Sequence, residues 1–174
     1  MRKSEMPTGV KLKRLLFKYY IVVLFIAFLT FLAILVFDPS ARNNPSVSIT
    51  ALGGLVSFYY FIQKQQLDEL TLFKDLFDNF NSRYDSLNQS LNTILQKDES
   101  EPLMPEEISK LYDYFNLCGE EYLYYTLGYI YPEVWRAWRN GMITYLKHER
   151  IREQWLNEEK SNSYYGLTLT KLDW

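Results

Sequence analysis

The sequence predicts an all-α protein in which an N-terminal transmembrane helical hairpin precedes a cytoplasmic helical bundle of about four helices. Two long apolar runs near the N-terminus predict the hairpin, and apolar residues at heptad spacing predict the first helix of the bundle. No stretch of useful length alternates in the way a half-buried strand does. We therefore divide the 174 residues into a basic tail (1–18), the hairpin (19–62) and the bundle (63–174).

Composition excludes several classes of protein. The chain is 48% apolar and 17% aromatic with a net charge of −2, which excludes disorder as its overall state. It has one cysteine, Cys118, and one histidine, His148, so neither a disulfide framework nor a Cys/His zinc site is expected. We predict no cofactor.

The net charge hides an uneven distribution. Residues 1–18 hold six Lys and Arg against one Glu, whereas residues 63–174 hold twelve Lys and Arg against nineteen Asp and Glu. The loop 38–46 has a single Arg. Because Lys and Arg favour the cytoplasmic side of a membrane, both termini are predicted to be cytoplasmic and the loop external.

The first apolar run covers residues 19–37, and Thr30 is its only polar residue. As a helix it would span roughly 28 Å, close to the ~30 Å hydrocarbon core of a bilayer. A secretory signal peptide is the alternative, but the run is too long for one and no small-x-small cleavage site follows it. We interpret it as a transmembrane helix.

The second run, residues 47–62, is less apolar and only marginally long enough to cross a bilayer. Small residues allow two helix backbones to approach closely in lipid, so Gly53 and Gly54 are predicted to form a membrane helix contact. A re-entrant or interfacial segment is the alternative. Asp-Pro-Ser at 38–40 and Asn-Pro-Ser at 44–46 predict a tight turn between the runs.

The clearest pattern in the chain is a heptad seam with alternating spacings of three and four residues. We call this set the assembly seam: Leu70, Phe73, Phe77, Phe80, Tyr84, Leu87, Leu91 and Ile94. Extending its register backwards reaches Gln66, Gln63, Tyr59, Val56 and Leu52, which predicts one helix from the membrane to about Gln96. The seam is typical of packing in a bundle, either within one chain or between chains of a homo-oligomer.

Three further helices are predicted. Pro105 begins one that ends at Gly128, and Pro132 begins the next. A last amphipathic stretch is either separated from it by a break near residues 147–148 or continuous with it. Trp135 and Trp138 recur at helical spacing, which favours a place in the core over stacking on a ligand.

Segment 136–152 carries a local net charge of +4. Its candidate patch for an anion, RNA or lipid is Arg136, Arg139, Lys147, His148, Arg150 and Arg152. The alternative is that these cations pair within the chain with Glu120, Glu121 or Glu133.

No complete catalytic or metal site can be found in the sequence. It has no glycine-rich phosphate loop and no Glu-x-x-His pair of the kind that bridges metals in bundles. The adjacent acids at 106–107, 120–121 and 158–159 point in different directions on a helix and are predicted to be solvated. We predict that the protein is not an enzyme.

The stretch Tyr-Phe-Asn-Leu-Cys-Gly-Glu-Glu-Tyr at 114–122 resembles a motif of an uncharacterised family of small bacterial membrane proteins. The resemblance continues through Gly-Tyr-Ile at 128–130 and Pro-Glu-Val-Trp at 132–135 to Ser-Tyr-Tyr-Gly at 163–166. It implies a bacterial inner-membrane protein with two spans and a cytoplasmic helical domain. By analogy with membrane proteins of this build, it also raises a role in phage defence.

The predicted bundle also resembles HEPN-type domains, including membrane-bound accessory proteins of RNA-targeting CRISPR systems. Nucleases of that type carry Arg followed four to six residues later by His. Here the nearest Arg upstream of His148 is Arg139, too far for the pattern. The resemblance therefore implies a HEPN-like fold without nuclease activity.

Two hypotheses for function follow. We favour an oligomeric membrane effector or accessory protein in antiviral defence, which acts on membrane lipid. The alternative is a membrane anchor that presents a helical module to a protein or RNA partner.

Overall fold

A computed structural model describes residues 8–98 and 101–172, and within them the chain is all-helical, as predicted. Residues 1–7 of the predicted basic tail lie outside the described residues. The helices are α1 (Thr8–Phe37), α2 (Pro39–Arg42), α3 (Pro45–Gln96), α4 (Pro105–Thr126), α5 (Pro132–Leu146), α6 (Glu149–Glu159) and a 3₁₀ helix (Leu169–Leu172).

Two compact units divide the chain. One comprises Thr8–Thr71, and the other includes Leu72–Trp174. Helix α3 contributes to both, so the boundary falls inside a helix and later than the predicted boundary after residue 62. The prediction that one helix continues to Gln96 is confirmed.

Both long helices of the first unit are long and apolar enough to cross a membrane. The mean hydropathy is 3.0 over Phe17–Phe37 and 1.4 in the most apolar part of α3. Large apolar side chains along both helices face outward, including Phe25 and Ile49, the latter 72% exposed. These surfaces are what lipid would cover.

Polar side chains join α1 to the middle of α3. Gln63 donates to the Tyr20 hydroxyl, and the Gln66 Nε2 donates to the Phe17 carbonyl at 3.3 Å. The rings of Tyr20 and Tyr59 lie 6.3 Å apart. Three positions reached by extending the seam backwards therefore contact α1.

The two positions of this register nearest the N-terminal end of α3 are exposed. Val56 is 67% exposed and Leu52 is 45% exposed, so neither residue is covered by this chain. Seam spacing near the N-terminal end of α3 therefore marks an outward apolar surface instead of an intramolecular contact.

The turn between α1 and α3 contains the four-residue helix α2. Asp38 Oδ1 accepts from the Ser40 backbone N–H at 2.9 Å and from its hydroxyl at 2.6 Å. Asn44 Oδ1 accepts in the same way from the N–H and hydroxyl of Ser46, at 3.2 and 2.5 Å. Both Asx-Pro-Ser motifs thus act as helix N-caps, and the predicted tight turn is a short helix with a cap on each side.

The second unit has one hydrophobic core, shared by the C-terminal part of α3 with α4, α5, α6 and the C-terminal segment. Four seam residues are buried in that core: Phe80, Leu87, Leu91 and Ile94. Phe73 and Tyr84 are partly buried against it, and Phe77 is half-buried and stacks on Trp138. From Phe73 onward the seam therefore packs within the chain, and Leu70, which is 54% exposed in the first unit, is its only uncovered member.

Tryptophans of α5 and α6 contribute to this core, as their spacing predicts. Trp135 stacks on Tyr125 with ring centroids 5.0 Å apart, and Trp155 meets Phe115 edge-on at 5.0 Å. Trp138 is partly buried and stacks on a ring of α3.

Helix boundaries in this unit agree with the sequence signals. Pro105 and Pro132 are the first residues of α4 and α5, where proline loses no hydrogen bond. Gly128 follows the end of α4 with a φ of 84°, a conformation that favours glycine.

The C-terminal segment returns to the core after α6. Tyr164, Leu167 and Leu172 are each at most 3% exposed. Asn162 and Gly166 take positive φ values of 56° and 77° where the chain reverses direction. The sequence analysis did not predict this docking.

Candidate functional site

The residues of the predicted basic patch differ in their exposure and in the groups that they contact. Its side chains are exposed at Arg136, Lys147 and His148 and half-buried at Arg139, Arg150 and Arg152. In the described part of the chain, Arg150 and Arg152 contact residues other than Glu120, Glu121 and Glu133.

Two of the arginines have partners close to them in the chain or at the end of α3. Arg150 donates to the backbone carbonyl of Asp98, and Arg152 pairs with Glu149 at 3.3 Å. Glu120 instead pairs with Arg83 of α3, through two hydrogen bonds of 2.5 and 3.0 Å. The patch is thus partly neutralised within the chain.

An open groove of about 730 Å³ adjoins the patch. Its cationic lining consists of Lys97 and Arg150, and His148 also lines it. Carboxylates at Glu101, Glu149 and Glu153 line the same groove. Because the acids outnumber Lys97 and Arg150, the groove has no excess positive charge with which to hold a polyanion.

The two glycines predicted to form a helix contact lie on an open face of α3. A Cβ added to Gly53 or Gly54 would have no atom within 4 Å. Neither glycine is therefore needed for the packing of α3 on α1. The contact they were predicted to make is not made within this chain.

The prediction that the paired acids are solvated is wrong for Glu121. This residue of α4 is 6% exposed, and burial is the main reason that its pKa rises to about 8. The Arg83 guanidinium lowers this pKa and the Glu120 carboxylate raises it, both less strongly than burial. At neutral pH the unliganded Glu121 is mostly protonated.

A signal for this burial was present in the sequence. Glu121 follows Tyr114 by seven residues and Cys118 by three, and Tyr125 follows it by four. All four residues are buried on α4, so the helical period places the acid on the apolar stripe. Pairing Glu121 with its neighbour in sequence obscured that position.

Glu121 lines a half-enclosed cavity of about 160 Å³ in the second unit. The other lining residues come from α3, α4 and α5: Asn81, Tyr84, Tyr114, Ala137, Trp138, Gly141 and Met142. Tyr114, Glu121 and Met142 are buried, whereas Ala137 and Gly141 are exposed. We call this space the α3–α5 cavity, with its opening beside Ala137 and Gly141.

Buried hydroxyl and thiol groups surround the same carboxylate. Burial raises the pKa of both Tyr114 and Cys118 well above their usual values. The hydroxyls of Tyr84 and Tyr145 are 2.9 Å apart, and burial followed by this hydrogen bond raises the pKa of Tyr145. The Cys118 thiol is therefore held as an unreactive core group, not as a nucleophile.

Within residues 8–98 and 101–172 no group of three His, Cys, Asp or Glu side chains is close enough to hold a metal ion. No protein-family model, curated protein or solved structure matches this chain.

Proposed function

We propose that this protein is a two-span protein of the bacterial inner membrane that anchors a helical interaction domain. The observation that carries the proposal is the outward-facing apolar surface along α1 and the first half of α3. Water would hydrate these side chains at a large cost in free energy, whereas lipid would cover them. The unit from Leu72 onward has its own core and supplies the domain that the anchor presents.

The proposed orientation places both termini in the cytoplasm and α2 outside. Its support is the count of Lys and Arg, six in residues 1–18 against one in residues 38–46. Ser40 is exposed on α2, and Ser161 is exposed just after α6. Cysteine at these two positions gives a matched pair of reporters, while the native Cys118 is buried.

The test is labelling of Ser40→Cys and Ser161→Cys in separate variants with a membrane-impermeant maleimide. In cells with only the outer membrane opened, we expect Ser40→Cys to react and Ser161→Cys to react only after lysis. The reverse result would invert the orientation. Recovery of the full chain in the soluble fraction would refute the membrane proposal itself.

For the partner of this domain we propose a protein rather than RNA. The groove beside His148 has three carboxylates and two cations, which favours a mixed-charge partner surface over a phosphate backbone. We expect RNA binding by the detergent-solubilised chain to be weak at 150 mM salt. Tight binding with a salt slope steeper than about −3 would identify RNA as the partner instead.

Oligomeric membrane disruption is the second candidate function. The open face at Gly53 and Gly54 supports it, because glycines on a lipid-facing helix allow a second helix to approach closely. In this proposal copies of the chain assemble through that face, and the assembly permeabilises the bilayer during phage infection. The antiviral part rests on the family resemblance described above.

Membrane potential distinguishes the effector from the anchor. If the protein is the effector, cells that express the full chain should depolarise rapidly, and replacing Gly53 and Gly54 with Leu should abolish the depolarisation. Val56→Leu is the matched control, since Val56 is exposed two residues further along α3. The anchor would remain as the function if the membrane potential stays normal both during expression and during phage infection. In that case the phage should also form as many plaques on cells with the protein as on cells without it.

A further inference from the structure

The α3–α5 cavity combines aromatic walls with one buried carboxylate. Tyr84 and Tyr114 line it with ring centroids 6.4 Å apart, and Trp138 lines it from α5. The Trp138 ring stacks on Phe77 with ring centroids 5.9 Å apart and meets Phe80 edge-on at 5.7 Å. These rings are therefore held in place before any ligand enters.

The carboxylate in this cavity is deeply buried. Glu121 is 94% buried and shares the cavity lining with three aromatic side chains. An ionised carboxylate in such surroundings is costly unless an opposite charge lies close to it. The space next to Glu121 is thus the place where a partner from outside the chain would bind.

Arg83 lowers the pKa of Glu121, but its direct ion pair is with Glu120. Its guanidinium is occupied by the two hydrogen bonds to Glu120, with which it forms a neutral pair. Arg83 is also not among the residues that line the cavity. When ionised, Glu121 is therefore the excess charge at this site, and one positive charge would balance it.

The size and chemistry of the cavity restrict what that charge can be. A cavity of roughly 150 Å³ accommodates a ligand the size of benzene. Hard metal ions require several oxygen ligands, usually with more than one carboxylate, and this lining has a single carboxylate and the Asn81 amide among aromatic and apolar side chains. Aromatic faces attract organic cations, and quaternary ammonium groups most characteristically.

We propose that the α3–α5 cavity binds a small organic cation, a trimethylammonium group, between Tyr84, Tyr114 and Trp138 with Glu121 as its counter-ion. This inference does not depend on the proposed membrane function. It rests on the residues of the second unit alone.

Binding in this mode is coupled to release of a proton. Glu121 holds its proton below a pKa of about 8, and the cation binds to the ionised form. The titratable and charged groups near Glu121 on the surrounding helices are Arg83, Tyr84, Tyr114, Cys118, Glu120 and Tyr145. Arg83 and Glu120 neutralise each other. Raised pKa values keep Tyr114, Cys118 and Tyr145 neutral. Glu121 therefore sets the pH dependence of cation affinity between pH 6 and 7.

The experiment is calorimetric titration of the full chain in maltoside detergent with choline chloride. Its neutral isostere, 3,3-dimethylbutan-1-ol, has the same shape without the charge and is the matched control. We expect choline to bind at least tenfold more tightly than the isostere. Comparing choline with phosphocholine tests whether the cavity accepts a free cation or a phosphorylated headgroup. We expect phosphocholine to bind more weakly than choline, because the cavity lining has no cation for its phosphate.

Two variants and a pH series complete the test. Glu121→Gln should lower choline affinity at least tenfold without changing that of the isostere. Gly141→Leu should fill the opening and abolish both, since a Cβ there meets no atom within 4 Å and the helix is not disturbed. For the native chain, affinity should rise about tenfold from pH 6 to pH 7, and this rise should disappear in Glu121→Gln.

Three outcomes would overturn the proposal. Absence of choline binding to a folded native chain would exclude the site. Equal affinities for choline and its isostere would make the cavity an apolar pocket without cation selectivity. Choline binding that survives Gly141→Leu would place the ligand elsewhere in the protein.

Discussion

Gly119 of α4 lies directly against Tyr164 of the C-terminal segment. A Cβ added to the glycine would be 3.1 Å from both the Cα and the Cβ of Tyr164. This contact joins two motifs that are 45 residues apart and that the family resemblance quotes separately. Tyr164 cannot easily move away, because its ring packs on those of Phe115 and Trp155 with centroids 6.1 and 5.0 Å away.

Substitution of Gly119 by Ala should therefore destabilise the protein. The added methyl group forces Tyr164 outward, and overpacking of this kind costs about 1–3 kcal/mol in the free energy of unfolding. That cost exceeds the gain in helix propensity of up to about 1 kcal/mol. Thermal unfolding of the full chain in detergent, followed by circular dichroism, would measure the change.

Gly141→Ala is the matched control for that substitution. Both glycines are interior residues of helices, but a Cβ at Gly141 has open space around it. We expect Gly141→Ala to raise the melting temperature, since only the helix propensity changes. Equal effects of the two substitutions would show that the contact with Tyr164 is not tight.

Glu121 should make stability depend on pH. In the unfolded chain this residue loses its proton near its usual pKa of 4.5, whereas the folded chain retains the proton up to about 8. Between these values the folded state binds the extra proton, so stability falls as pH rises and levels off above pH 8. We expect a loss on the order of a few kcal/mol across this window, measured as the melting temperature at pH 5, 6, 7 and 8 without added ligand.

Glu121→Gln should flatten this profile and melt above the native chain at pH 8, because glutamine keeps the shape of the protonated acid without a charge to bury. Glu153→Gln, at an exposed position of α6, should retain the native slope. Parallel profiles for the native chain and Glu121→Gln would assign the pH dependence to another group.

The sequence was informative where one residue's local chemistry decides the structure. Pro105 and Pro132 mark helix starts whatever surrounds them, and the heptad spacing of α3 follows from its own residues. For Glu121 the sequence gives only its place on the apolar stripe of α4, and this does not settle how deeply the residue is buried. That depth depends on which face of α4 the neighbouring helices α3 and α5 cover, and that choice is made by tertiary packing.

Docking of the C-terminal segment illustrates the same limit. The polar residues at 161–163 indicate the end of α6 correctly, but no periodicity shows where the following residues go. Their position depends on Gly119 leaving room for Tyr164 and on the long-range contacts around it. The cavity was missed for a related reason, because its walls come from three helices far apart in the sequence.

Glu107 should stabilise the start of α4. Its carboxylate accepts from the Met104 backbone N–H at 2.6 Å and pairs with Lys97 at 2.7 Å. The hydrogen bond to Lys97, followed by that from the Met104 N–H, holds the pKa of Glu107 below its usual value. Loss of a helix cap costs about 0.5–2 kcal/mol, so Glu107→Ala should lower the melting temperature by a few degrees.

Glu106→Ala is the control for this prediction, since Glu106 is exposed in the same turn and also lies near the positive end of the helix dipole. We expect a smaller effect from it. If the two alanine variants melt together, the dipole and not the cap is the source of the stabilisation.

We expect the Glu159 carboxylate to hold the C-terminal segment against α6 through hydrogen bonds. Its Oε2 accepts from the Trp155 indole N–H at 2.8 Å and from the Leu169 backbone N–H at 3.1 Å. Glu159→Ala leaves both donors without this acceptor, at a cost of about 1–3 kcal/mol for each one that stays buried. Trp155 is 1% exposed, so its indole N–H cannot turn to water.

For Glu159→Ala we expect a lower melting temperature and faster hydrogen exchange at residues 164–172. Glu153→Ala, on the exposed side of α6, is the control and should change neither. Unchanged exchange in that segment would mean that its apolar side chains, and not the Glu159 carboxylate, hold it on the core.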